Sequence, residues 1–185
     1  MKKVIILIAI AIVSFSVAVN AQNASATATQ SVSLSLSNAI AITFTGSGTN
    51  TGGAITLPFS TVSDYANGVT STAQQLKVQS NLAFDVAVKA NATNFTYSGS
   101  YTTGTTMPVS GVLKLMVTAN STGGSIASPF SGTAYSTLTA TDQNLITNGT
   151  YGSNQLFSIQ YKAEPGFTYP AGTYTTSVVY TATQQ

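Results

Sequence analysis

The stretch NLAFDVAVKAN, residues 81–91, decides the class of fold. Leu82, Phe84, Val86 and Val88 fall on one phase of an alternating pattern, and Asp85, Lys89 and Asn91 fall on the other. Successive side chains of a β-strand point to opposite faces, so a period of two marks a strand with one face in a core and one toward water.

The same signal recurs on both sides of it. Leu76 and Val78 face in while Gln75, Lys77 and Gln79 face out; Leu113, Leu115 and Val117 form a row with Lys114 outside. Phe157, Ile159 and Tyr161 make a further row. Near the C-terminus Tyr174, Thr176, Val178, Tyr180 and Ala182 oppose Thr175, Ser177, Val179, Thr181 and Thr183. Shorter strands are expected at Phe95–Tyr97 and at Ala54–Phe59, where Pro58 confines the strand to an edge or an end. Gly46–Gly53, Gly123–Gly132 and Glu164–Gly172 read as loops, DYANG (Asp64–Gly68) reads as a turn, and Ser136–Asn154 carries a mixed pattern. No stretch longer than a turn shows helical spacing. Strands separated by Gly, Asn, Ser and Pro clusters predict an all-β chain, an antiparallel immunoglobulin-like β-sandwich of about 7–10 strands, with a closed β-barrel as the alternative.

The N-terminal region divides into two parts. Lys2 and Lys3 precede an apolar run, Val4–Val19, and Val19-Asn20-Ala21 offers small residues at a cleavage site. Residues 1–21 therefore read as a secretory signal peptide cut after Ala21, the run being short of the ~20 apolar residues that span a bilayer. Residues 22–38 then hold a regular alternation, Val32, Leu34 and Leu36 set among Ser31, Ser33, Ser35 and Ser37. This is either the first strand of the domain or a strand for a neighbouring molecule. The even phase resumes at Ile40, Ile42 and Phe44, with a break expected near Asn38, and residues 39–185 form a single sandwich domain.

Charge is nearly absent. Asp, Glu, Lys and Arg together make 5% of the chain, against ~25% in ordinary soluble domains. The formal charge of +2 comes from Lys2 and Lys3, because Lys77, Lys89, Lys114 and Lys162 balance Asp64, Asp85, Asp142 and Glu164. With no arginine and no net positive charge, the chain lacks the means to grip phosphates, which argues against nucleic acid as a partner. It has no cysteine, so an exported chain of this kind must be held by packing and backbone pairing alone.

Histidine, cysteine, arginine and tryptophan are all missing. That removes Ser-His-Asp and Cys-His nucleophiles and the common metal-ligand sets, and no cofactor is expected. A carboxylate pair would need two of Asp64, Asp85, Asp142 and Glu164 to meet, yet Asp85 sits on a solvent-facing strand phase and the others in turns. No enzymatic activity is expected. Tyrosines in or beside loops, at Tyr97, Tyr101, Tyr135, Tyr151 and Tyr169, are the remaining binding chemistry, since a ring can stack on a sugar. The lysines, on solvent-facing phases or next to turns, suit protection of sheet edges.

SLSNAIAITFTG (Ser35–Gly46) and the closing PAGTYTTSVVYTATQ (Pro170–Gln184) resemble small exported β-sandwich proteins of bacteria, spore coat protein U-like and pilin-like domains. Those end in a Gly-x-Tyr-x-x-x-hydrophobic strand, matched by Gly172, Tyr174 and Val178. WxL-type wall-binding domains share a comparable ending, but their tryptophans are absent here, as is the cysteine pair of many pilin-like domains. The resemblance implies assembly. In such pilins an N-terminal extension of one subunit fills a groove in the next, and a periplasmic chaperone can assist; here Val32, Leu34 and Leu36 would be the residues lent. The expectation is a non-enzymatic, exported, fimbrial-type or surface-matrix subunit, at the cell surface, in the periplasm or outside the cell, partnered by itself or related subunits. The alternative is a glycan- or wall-binding module using Tyr97, Tyr101, Tyr135 and Tyr151.

Overall fold

Alternation at Phe84, Val86 and Val88 produces a strand whose three large side chains have no exposed surface at all. The computed structural model describes residues 25–185, so the expected signal peptide, residues 1–21, lies outside the described residues. No helix among the described residues is long and apolar enough to cross a membrane.

The chain is an antiparallel β-sandwich, and its sheets are open, not closed into a barrel. Along the first sheet the order is β1 (Ile40–Phe44), β3 (Gln74–Ser80), β10 (Gly152–Ala163), β6 (Leu113–Ser121) and β8 (Ser136–Thr137), with β2 (Val69–Thr70) on the end of β10. The second runs β12 (Val178–Gln184), β4 (Phe84–Ala90), β9 (Gln143–Gly149), β7 (Ser125–Ile126). A small ribbon joins β5 (Thr96–Ser98) to β11 (Thr173–Thr175). Seven of these strands have five or more residues; the other five are two or three residues long, which takes the count past the seven to ten expected.

The inward rows of the two main sheets meet in one core. Leu76 and Val78 of β3, Leu115 and Val117 of β6 and Phe157 and Ile159 of β10 pack against Phe84, Val86 and Val88 of β4 and Leu145 and Ile146 of β9. Burying each such side chain contributes roughly 1.5–3 kcal/mol. Leu145 and Ile146 are adjacent yet both buried. The β4–β9 register shifts between the Val86↔Ile146 and Ala87↔Asn144 pairs, and that bulge turns two consecutive residues inward.

Three local expectations are corrected. Ala54–Phe59 forms no strand and joins no sheet, in keeping with Pro58, which cannot donate to a ladder. DYANG is mostly a short helix, α1 (Val62–Asn67). Its capping box has Asp64 N–H donating to the Thr61 hydroxyl at 3.2 Å and Thr61 N–H donating to the Asp64 carboxylate at 2.7 Å. The third concerns the lysines, which lie on the inner strands β3, β4, β6 and β10 and protect no edge.

At the N-terminal end the unit that begins at Leu36 is pinned by Asn81, whose amide donates to Ser37 O at 2.8 Å and whose carbonyl accepts from Ala39 N at 2.9 Å. This is the break anticipated near Asn38. Residues 25–35, the described part of the preceding unit, carry no helix or strand and are exposed throughout.

Candidate functional site

Two features of the surface stand out: a pair of uncharged sheet edges and a cleft with aromatic lining. The edges differ sharply between the two sides of the sandwich. On one side the sheets end in β7 and β8, two residues each, too short to recruit a partner strand. On the other they end in β1, IAITF, and β12, VVYTATQ, which carry no charge and no proline. A gatekeeping charge is what edge strands ordinarily use against pairing with other chains.

β1 and β12 face each other across a recess of about 180 Å³ lined by Ile42, Phe44, Leu76, Val178 and Tyr180. Near the C-terminal end of β12, Gln184 donates to Ala39 O at 2.9 Å and to Ser80 Oγ at 3.0 Å. Phe44 meets Tyr180 edge-on, with ring centroids 6.1 Å apart. Behind them the hydroxyls of Tyr161, on β10, and Tyr180 lie 2.7 Å apart and join the two sheets. Burial pushes the Tyr161 phenol up to about 12, and burial with the neighbouring Tyr161 pushes Tyr180 well above the ordinary range.

Beyond Phe44 lies a larger cleft of about 830 Å³. One wall is the unpaired Ala54–Phe59 segment, the other runs from Pro170 to Val178, and the floor reaches the buried Met107, Val112 and Tyr161. Aromatic side chains gather at this end of the molecule. Tyr65 stacks on Phe167, with centroids 5.4 Å apart and planes at 24°, and has Phe59 on another side, also at 5.4 Å. Tyr174 meets Tyr97 at 5.0 Å and Tyr169 at 6.4 Å. Two hydroxyls staple the connection: Tyr97 donates to Ala171 O at 3.0 Å and Tyr174 to Pro170 O at 2.9 Å. Gly172 is required between them, because a Cβ there would stand 2.3 Å from the Tyr97 ring. Burial raises the Tyr174 phenol, and the neighbouring Tyr97, Tyr169 and Tyr65 add to the shift.

The residues singled out from sequence are distributed as follows. Val32, Leu34 and Leu36 are 79%, 79% and 86% exposed, on a stretch with no strand. Tyr97 and Tyr101 come together, Tyr101 N–H donating to Tyr97 Oη at 3.1 Å. Tyr135 and Tyr151 stand at opposite ends of β10: Tyr135 donates to Gln160 at 2.7 Å, while Tyr151 precedes Gly152. The four tyrosines thus form no single surface. Tyr169 does belong to the cleft, together with Phe59, Tyr65 and Tyr174, which sequence spacing did not single out as binding residues; Phe167 stacks on Tyr65 beside it.

Each acid has a partner of its own. Asp64 caps α1, and hydrogen bonds from the Thr61 and Ser60 backbone hold its carboxyl below the usual range. Asp85 accepts from Asn148 N at 2.8 Å and Gln185 at 2.7 Å, and Asp142 pairs with Lys89 at 3.0 Å. Glu164 lies between Lys114 and Lys162, whose hydrogen bonds lower its pKa. Among the described residues no three His, Cys, Asp or Glu side chains gather as metal ligands would. No family model matches the chain, and no curated protein matches it either.

Proposed function

We propose that the chain is a non-enzymatic structural subunit, exported and assembled outside the cytoplasm by β-strand addition. The segment Thr29–Ser37 of one copy, or of a related subunit, pairs along the open β1/β12 edge of the next, and a periplasmic chaperone holds that edge beforehand. The observation that carries the reading is the asymmetry of the edges: β7 and β8 are blunted by shortness, while β1 and β12 are uncharged and open, save at Phe44, whose main chain bonds to Gly48 and Thr49.

The proposed donor complements them. Val32, Leu34 and Leu36 lie on one phase, exposed, with serines between and no charge. In strand addition the main chain supplies affinity and alternate side chains fill pockets. The recess beside Ile42, Phe44 and Leu76 is apolar in the way such side chains require. A donor and an acceptor at different places on one molecule give a head-to-tail contact, which propagates into a fibre unless rotation closes it.

The test is deletion of Thr29–Ser37 followed by size analysis. The truncated chain is expected to fold and stay monomeric; a truncated chain that multimerises like the full one overturns the reading.

A further inference from the structure

We infer that the aromatic cleft between Ala54–Phe59 and Pro170–Val178 is a binding site for a neutral oligosaccharide chain. Four observations carry this, and none depends on the assembly proposed above. The cleft is of about 830 Å³, inside the ~300–1,000 Å³ range of small-ligand sites. No Asp, Glu or Lys lines it, in a protein whose every acid is engaged elsewhere, so a charged ligand would lose its hydration without a counter-ion. It is lined by partly exposed rings, Phe59, Tyr65 and Tyr169, and Tyr65 is backed by the stacked Phe167.

The fourth is the placing of polar groups. The Tyr97 and Tyr174 hydroxyls are used on Ala171 and Pro170 carbonyls. Those of Tyr65 and Tyr169 and the amide of Asn50 have no hydrogen-bond partner among the described residues. A sugar ring presents an apolar C–H face and a rim of hydroxyls, which fits a ring face flanked by unengaged hydroxyl and amide groups. The platform is also pre-set. The capping box fixes α1 and with it Tyr65, and the two tyrosine staples fix the proline-containing connection that bears Phe167 and Tyr169. Little ordering entropy is then lost on binding.

The test uses the full exported chain and neutral hexasaccharides of β-1,4-glucose, α-1,4-glucose and β-1,4-N-acetylglucosamine, with a galacturonate hexamer as the anionic control. Tyrosine emission reports binding, since the chain has no tryptophan to mask it. At least one neutral hexasaccharide is expected to bind more tightly than the anionic one. Tyr169→Ala and Phe59→Ala should each weaken it roughly three- to tenfold, the worth of one aromatic contact. Tyr169→Phe, which keeps the ring and guards against a folding defect, should weaken it less, and Tyr151→Ala should leave it unchanged. Failure of all neutral hexasaccharides to bind the folded chain overturns the inference. So does binding indifferent to Tyr169 and Phe59, equal binding of the anionic hexamer, or capture at this cleft of a Thr29–Ser37 peptide in place of any sugar.

Discussion

Replacing Tyr161 by Phe removes one of the two hydroxyls that join β10 to β12 behind the open edge. Tyr161 is 8% exposed, and its hydroxyl lies 2.7 Å from that of Tyr180. The phenyl ring that remains fills the same space, so no cavity forms. What is lost is the partner of a desolvated hydroxyl, which costs about 1–2 kcal/mol. Tyr180→Phe costs about the same from the other side. The double substitution leaves no orphaned group, and its cost should fall about 1 kcal/mol or more short of the sum.

The same pair governs alkaline stability. The folded chain keeps the Tyr161 phenol neutral up to about 12, against 10.0 for an unperturbed tyrosine. The stabilisation from keeping that phenol neutral is therefore complete below pH 10 and is lost as pH rises from 10 to 12, at about 1.4 kcal/mol per pH unit for each such group. Urea titrations at pH 7 and at pH 11, on the parent, both single variants and the double, measure both effects. Single substitutions costing under about 0.3 kcal/mol, a double cost equal to the sum, or an alkaline loss as large in the double variant as in the parent would refute this reasoning.

Gly149→Ala should lower the urea midpoint by an amount equal to about 1–3 kcal/mol, because the added Cβ would stand 2.6 Å from the buried Phe84 ring; an unchanged midpoint would show that β9 shifts freely. Glu164 contributes stability above the ordinary carboxyl range and loses it as pH falls through its lowered value, so Glu164→Gln should flatten the acid limb of a thermal-melt series while lowering the melting point at neutral pH. Val32→Asp, Leu34→Asp and Leu36→Asp, at residues 79% or more exposed, should abolish multimers while moving the melting point by no more than about 0.5 kcal/mol of stability.

Much of the sandwich is legible in the sequence because a half-buried strand has no choice but to alternate. Leu76 and Val78, Phe84 to Val88, Leu113 to Val117 and Phe157 to Tyr161 all face the core as their phase requires. β9 was harder to read, since a bulge opposite Ala87 turns Leu145 and Ile146 inward together and erases the period of two. Ala54–Phe59 has the composition of a strand, but pairing depends on a free neighbour and its Pro58 removes a donor. The break at Asn38 was visible; the hold of Asn81 on Ser37 and Ala39 was not, because it spans more than forty positions.

The cleft was the least legible part. Phe59, Tyr65, Tyr97, Phe167, Tyr169 and Tyr174 meet only because β5 pairs with β11 and the connection from β10 folds back over α1. Loop position identified Tyr169 and Tyr97 as candidates, but it offered equal reason to choose Tyr135 and Tyr151, which the fold sends to opposite ends of β10.

Head-to-tail assembly is tested most directly by mixing two chains that are each defective at one end. The first carries Leu34→Asp and Leu36→Asp with an intact edge; the second carries Thr181→Lys and Thr183→Lys, exposed positions of β12, with an intact N-terminal segment. Light scattering should find each alone to be monomeric and the mixture to stop at a one-to-one complex, in which the second chain lends its segment to the edge of the first. Continued multimerisation of either variant alone, or a mixture that remains monomeric, would contradict the account.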